Sequence, residues 1–253
     1  MQKGVGRRPT VFVTGASQGI GAGIAVTMAG KGYDVAISST QPEKLGPVIE
    51  QVKAAGARVH VVQLEVRSQE SIERAMASVV AEFGEVDVLV NNAGITMQRP
   101  AIDVSRAEWD GIIATDLSGV FFMSQQMGRH LIATKRGGCI ISIASTHGVV
   151  AFQNRSTYGI AKAAVMHMTR TLAAEWAEHN IRVNAIAPGW VVTPSRAALK
   201  VTPEYEKLRL ARIPLRRPGA IEEVAGAVCY FASPEASYVT GQTLVMDGGV
   251  TIV

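Results

Sequence analysis

Tyr158 and Lys162 stand four residues apart in a stretch whose pattern predicts a helix, so the phenol and the ammonium share one face. A free phenol titrates near ~10, too high for proton transfer at neutrality, and bringing it to ~7 takes roughly 4 kcal/mol of preferential phenolate stabilisation. An ammonium ~4–5 Å away, at an effective dielectric of ~20, supplies about that much. The pair is therefore adequate as a general acid/base, although the same spacing also arises on helices that carry no chemistry. Thirteen residues before the tyrosine, Ser145 follows the apolar run 139–143. A serine at the C-terminal end of a strand opens toward the cleft above the sheet and can hydrogen-bond an oxygen that gains negative charge. Ser142, Thr146 and Ser156 are neighbours, and spacing favours Ser145. A third feature is the turn Thr14-Gly15-Ala16-Ser17-Gln18-Gly19-Ile20-Gly21. Glycines between a strand and a helix bring backbone N–H groups to a phosphate at the positive helix N-terminus.

These residues need a scaffold, and the chain supplies a regular one. β-Branched runs at 10–14, 34–38, 58–65, 86–91, 139–143, 182–187 and 243–247 alternate with amphipathic helical patterns at 20–31, 42–55, 69–83, 106–134, 157–179 and 221–232. Most of the strand runs are continuously apolar, as in parallel strands covered on both faces. The rhythm predicts an α/β fold: a single doubly wound domain over residues 1–253, with a parallel sheet and helices on both faces. Residues 188–218 break the rhythm with Gly189, Pro194, Pro203, Pro214 and Pro218, where a substrate lid is expected.

Composition narrows the classes. Of 253 residues 47% are hydrophobic, and 25 Lys+Arg against 21 Asp+Glu give a net charge of +4, which excludes a disordered chain. Basic residues cluster only as Lys135-Arg136 and Arg216-Arg217, so nucleic acid is not expected as a partner. Cys139 and Cys229 sit in apolar runs and read as buried free thiols of a reducing compartment. The first 15 residues lack the apolar segment of a signal peptide, and no run reaches the ~18 apolar residues of a membrane span, so a cytoplasmic protein is expected. His60, His130, His147, His167 and His179 show no ligand spacing, and no metal is expected.

Taken together, these motifs resemble the short-chain dehydrogenase/reductase family over essentially the whole chain. Residues 14–21 fit its cofactor turn, Asn91-Asn92-Ala93-Gly94 its motif after the fourth strand, and Ser145, Tyr158 and Lys162 its catalytic set. Pro188-Gly189 with Thr193, and Gly241 with Asp247-Gly248-Gly249, fit its later segments. The resemblance implies a Rossmann-like seven-stranded sheet and NAD(P)-dependent interconversion of a secondary alcohol and a carbonyl. By position, Tyr158 would exchange the proton, Lys162 would tune it and hold the nicotinamide ribose, and Ser145 would orient the substrate oxygen. The cofactor would meet Gly15, Ser17, Gln18, Gly19, Ile20, Gly21, Ser39, Thr40, Glu65, Val66, Asn92, Ala93, Gly94, Tyr158, Lys162, Pro188, Gly189, Val191 and Thr193. Asn91 would line the cofactor cleft.

Two positions depart from that family. Asp116 stands where a relay asparagine is usual, and its carboxylate would offset part of the lysine's pull unless backbone donors or a proton hold it. Glu65 stands where aspartate usually touches the adenine amine. After the second strand neither the aspartate of NAD-specific relatives nor the arginine of NADP-specific ones is present; Ser38, Ser39 and Thr40 can donate to a 2′-phosphate, which favours NADP over NAD.

The chain is similar to both 3-oxoacyl-carrier-protein reductases and sugar or polyol dehydrogenases of the family. Lys135-Arg136 match one expected carrier-protein contact beside the cleft, while His179 occupies the other. His147, Arg155 and Trp190, with Arg196 and Lys200 of the lid, would meet a polar or anionic small substrate instead. A different class, a catalytically silent dinucleotide sensor, stays open on the same fold. The helix around 161–177 carries only Lys162, Arg170 and Glu175 as charges and would need a second covering surface, which in the family is a neighbouring subunit of a homotetramer.

Overall fold

The computed structural model describes residues 7–194 and 202–253. Seven strands form one parallel sheet in the order β3-β2-β1-β4-β5-β6-β7. They are β1 (Thr10–Val13), β2 (Asp34–Ser39), β3 (Val59–Gln63), β4 (Val88–Asn91), β5 (Gly138–Ile143), β6 (Ile181–Pro188) and β7 (Thr243–Met246). Every residue of β1, β2 and β4 is buried, whereas the edge strands β3 and β7 are partly open. Alternate side chains feed opposite layers. Val11 and Val13 face a core built with Ile24, Met28, Val228 and Phe231, and Phe12 faces one built with Val79, Met127 and Leu131.

The first layer carries α1 (Gly19–Gly30) and α2 (Gly46–Ala54), the second α3 (Gln69–Phe83). Ser68 caps α3 by accepting from the Ser71 N–H, and Ser105 with Glu108 forms a capping box at α4 (Arg106–Ile113). The run expected as one helix over 106–134 is broken: a π-turn, Ala114–Ser118, separates α4 from α5 (Gly119–Ala133). The i→i+5 turn rotates Asp116 inward to zero exposure.

After β5 comes a short 3₁₀ turn, Thr146–Gly148, then α6 (Ser156–Trp176), which gives way to 3₁₀ at Ala177–His179. In the segment expected to be a lid, α7 (Pro203–Ala211) opens on Pro203, whose fixed φ suits the first helical position. The proline expected to break the rhythm starts a helix instead. Arg196 and Lys200 lie outside the described residues. The last helix is α8 (Ile221–Ala232). Cys139 is fully buried, but Cys229, expected to be buried too, is only half-buried, its Sγ lying 3.5 Å from Met28 Sδ.

Candidate active site

The strand ends place the chemistry. β1 leads into the glycine turn, and Thr14 ties that turn to β4: its hydroxyl accepts from the N–H groups of Asn92 and Ala93, each at 3.0 Å. The Asn92 amide donates to the carbonyls of Thr14 (3.0 Å) and Gly15 (2.8 Å). The glycines are required. Gly15 has φ +66° and lies so close to Ala93 that a Cβ would sit 2.7 Å from its Cα. At Gly21 a Cβ would meet the Asn92 amide at 2.4 Å and the Gly15 carbonyl at 2.5 Å. Gln18, the N-cap of α1, makes no side-chain cap, so the first N–H groups of the helix face the turn without a side-chain acceptor. That arrangement fits a dinucleotide pyrophosphate.

A cleft of about 160 Å³ opens at the C-terminal edge of the sheet. It is lined by Ser145, Tyr158, Lys162 and Asp116, with Ile20, Asn92, Gly94, Pro188, Gly189, Val191 and Thr193 around them. Ile95, Thr96, Ile143 and Ala144 also line it, and sequence reasoning did not single them out. No motif marks them; only the placement of the β4 and β5 ends does. Gly19 approaches Thr193, so the segment after β6 closes over the glycine turn. Val191 pairs with Gly219 there, and Gly189 abuts Asp247, whose carboxylate accepts from the N–H groups of Gly249 and Thr251.

At the centre is a buried charge pair. Lys162 Nζ lies 3.1 Å from Asp116 Oδ2, with side-chain exposures of 6% and 0%, and it donates to the Ile143 carbonyl at 3.1 Å. Asp116 Oδ1 accepts from the Ile95 N–H at 2.8 Å. A backbone donor therefore holds the carboxylate, one of the two ways its presence was expected to be tolerated. Oδ2 meets the ammonium outside hydrogen-bonding direction, so this contact is an ion pair without a directed hydrogen bond. Gly94 makes room for it: a Cβ there would be 3.0 Å from Oδ2. Lys162 Nζ is 5.6 Å from the centroid of the Tyr158 ring.

The remaining expected residues lie around this centre. Ser17, Gln18, Ser39 and Thr40 sit at the ends of β1 and β2, where Ser39 Oγ accepts from the Gln41 N–H and Ser38 Oγ is buried without a partner. Glu65 is bound by Arg67, whose hydrogen bonds hold its carboxyl below the usual carboxylate range. The Val66 side chain packs on Gly119 rather than in the cleft. Asn91 does not line the cleft: it is buried, donating to Ser124 and Ser142, because its side chain alternates to the other face from Asn92.

His147, Arg155 and Trp190 do not line the cleft either. His147 contacts Ser145. Arg155 donates to the Met97 carbonyl and Gln98, pinning the chain after Gly94 to the start of α6. The Trp190 ring lies 4.2 Å beneath the Arg209 guanidinium of α7. The cations expected beside the cleft stand at the opposite edge, since residues 135–136 precede β5 and Ser145 follows it. There Arg136 pairs with Glu85 and with Asp87. Among the described residues no group of three or more His, Cys, Asp or Glu side chains is placed to hold a metal, and no helix is long and apolar enough to cross a membrane.

A family model described as enoyl-(acyl carrier protein) reductase, of the short-chain dehydrogenase type, matches residues 15–251. The chain is 38% identical to the 3-oxoacyl-(acyl-carrier-protein) reductase FabG of Staphylococcus epidermidis, over 95% of this chain and 98% of that protein. It is 39% identical to the 2-dehydro-3-deoxy-D-gluconate 5-dehydrogenase of Escherichia coli, over 94% and 93%. A short-chain type dehydrogenase/reductase from Mycobacterium marinum superposes with a TM-score of 0.91 at 33% identity, covering 98% of this chain and 96% of that one. The glycine turn, the cleft and these likenesses lead to one assignment: the protein is an oxidoreductase of the short-chain dehydrogenase/reductase family, which works on alcohol/carbonyl pairs with nicotinamide dinucleotides.

Proposed function

We propose that the protein reduces a 3-oxoacyl thioester with NADPH, using Tyr158 as the general acid. The observation that carries this reading is the convergence of Ser145, Tyr158 and Lys162 on one cleft beside the glycine turn. When bound, the dinucleotide supplies the hydride to the carbonyl carbon. The Ser145 hydroxyl donates to the carbonyl oxygen as it gains charge, and Tyr158 gives that oxygen its proton. Lys162 holds positive charge beside the phenol and reaches the ribose hydroxyls; Asp116 and the Ile143 carbonyl fix where it stands.

NADPH is favoured over NADH because no carboxylate ends β2, while Ser39 and Thr40 offer hydroxyls to a 2′-phosphate; the Ser38 hydroxyl, expected to join them, is buried. The long segment 188–218 acts as the substrate lid of a single domain, with α7 anchored to Trp190 through Arg209. The assembly is a homotetramer. A groove of about 380 Å³ between α5 and α6 leaves Phe121 and Ile132 36–37% exposed beside Met168 and Trp176, an apolar surface suited to a second copy. The free thiols suit a reducing cytoplasm.

A second reading, a dehydrogenase of keto-sugar acids, is favoured by Arg136. Its guanidinium is already paired with Glu85 and Asp87 rather than left for an acidic carrier protein. Fluorescence titration with NADPH and NADH, followed by acetoacetyl thioesters, keto-sugar acids and small diketones, separates the two. Thioester turnover with NADPH supports the first reading, and selective turnover of the sugar acids supports the second. A tenfold kcat/KM preference for NADH overturns the cofactor assignment. Tight cofactor binding without turnover of any class moves weight to the silent sensor.

A further inference from the structure

A hydroxyl that is to stabilise a developing oxyanion must point its one hydrogen at the substrate, and a serine rotor does not choose that direction unaided. Ser145 has its choice made by His147. Ser145 caps the 3₁₀ turn, Thr146–Gly148, and its Oγ accepts from the His147 backbone N–H at 3.2 Å. The same Oγ lies 3.1 Å from His147 Nδ1. A hydroxyl oxygen has two acceptor positions and one hydrogen, and the backbone N–H uses one of the former. If Nδ1 is bare, the serine hydrogen is drawn to it and nothing remains to donate into the cleft. If Nδ1 carries hydrogen, it fills the second acceptor position, and the serine O–H is left to point into the cleft that Ser145 lines.

The imidazole is held for this contact. Phe152 stacks on it with centroids 4.3 Å apart at 31°, and the edge of the Tyr158 ring meets it at 5.5 Å and 76°. Two glycines seat the turn on α6. A Cβ at Gly148 would be 2.6 Å from the Ala163 backbone nitrogen, and one at Gly159 would be 2.8 Å from the His147 carbonyl. The turn therefore packs on the α6 backbone at Gly159 and at Lys162–Ala163, with its imidazole against the serine.

We infer that His147 is a positioning residue: in its Nδ1–H form it donates to Ser145 Oγ and thereby aims the serine hydroxyl at the substrate oxygen. The inference rests on the proposed reaction for its kinetic consequence, but not for its geometry, so two measurements separate the possible failures. The first is long-range ¹⁵N–¹H correlation on the full-length protein labelled at histidine and saturated with NADPH, with His147→Asn used to assign the resonance. The inference expects hydrogen on Nδ1; a bare Nδ1 overturns it, whatever the substrate proves to be.

The second measurement is kinetic, with whichever carbonyl the wild-type protein reduces. His147→Ala is expected to lower kcat about tenfold or more with little change in KM. His147→Asn, whose amide can donate from nearly the Nδ1 position, is expected to recover to within about threefold of wild type. In a Ser145→Ala background, His147→Ala is expected to have no further effect. A kcat for His147→Ala within twofold of wild type, an effect that persists in the serine variant, or one that falls on KM alone overturns the inference, since the last two mark direct contact with substrate. Absence of any Tyr158-dependent turnover sinks the proposed reaction instead, and the resonance still decides the inference.

Discussion

Removing one charge of the Lys162–Asp116 pair tests how the centre of the site is held. At 3.1 Å, with both side chains at most 6% exposed, the attraction is about 5 kcal/mol at an effective dielectric of ~20. Breaking a buried pair from one side typically costs roughly 3–5 kcal/mol, because the survivor stays buried without its counter-charge. Ile143 continues to accept from the lysine, so Asp116→Asn is expected at the low end, about 3 kcal/mol. Lys162→Met leaves a carboxylate with only the Ile95 N–H as its directed donor and is expected to cost a similar ~3 kcal/mol. The double variant, with neither charge, is expected to cost at least ~2 kcal/mol less than the sum of the two. Equilibrium urea unfolding at one protein concentration, with m-values compared, measures all three. Additivity within about 0.5 kcal/mol would refute the reasoning, since it would mean that neither residue stabilises the other. Asp116→Asn should also keep activity within about tenfold of wild type, because the ammonium remains. A larger loss would give Asp116 a role of its own in the reaction.

Three other outcomes are expected. Gly21→Ala should weaken NADPH binding more than tenfold by fluorescence titration, since its Cβ would collide with Asn92 and the Gly15 carbonyl, whereas Gly30→Ala, with nothing within 4 Å, should leave binding unchanged. Burial holds His130 below its usual range, so the unfolded chain binds its proton first. Stability should fall as pH drops through about 6.5, and His130→Leu should flatten urea midpoints between about pH 5 and 7. Burial pushes the Cys139 thiol up to about 11 while it donates to the Phe231 carbonyl. A thiol reagent at pH 8 should thus label at most Cys229 in the native protein and both cysteines after unfolding.

The sheet was legible because strands buried on both faces are mostly apolar, as β1, β4 and β5 are, while β2 and β6 keep apolar runs around Asp34, Ser38 and Ser39 and around Arg182 and Asn184. The cleft was legible because parallel strands deliver their C-terminal ends to one edge, so Ser145 and the glycine turn had to meet. The π-turn was not, since its extra residue is stabilised by a tertiary contact, Asp116 with Lys162, that no local pattern encodes. Arg136 does stand just before the serine strand, but its pairing with Glu85 and Asp87 was not legible, since only the fold brings those carboxylates to its guanidinium. His147 was read as a substrate contact, and only the fold of the turn after β5 reveals that its ring faces the serine.

The central claim is that Tyr158, with Ser145 and Lys162, completes hydride transfer from a nicotinamide dinucleotide to a carbonyl carbon. Incubating the protein with an acetoacetyl thioester and NADPH deuterated at the transferred position, then locating the label by mass spectrometry, tests it directly, with Tyr158→Phe run alongside. Deuterium on the new carbinol carbon, formed at least ~100-fold more slowly by the phenylalanine variant, is the result the account predicts. Deuterium appearing there at an undiminished rate without the Tyr158 hydroxyl would contradict it.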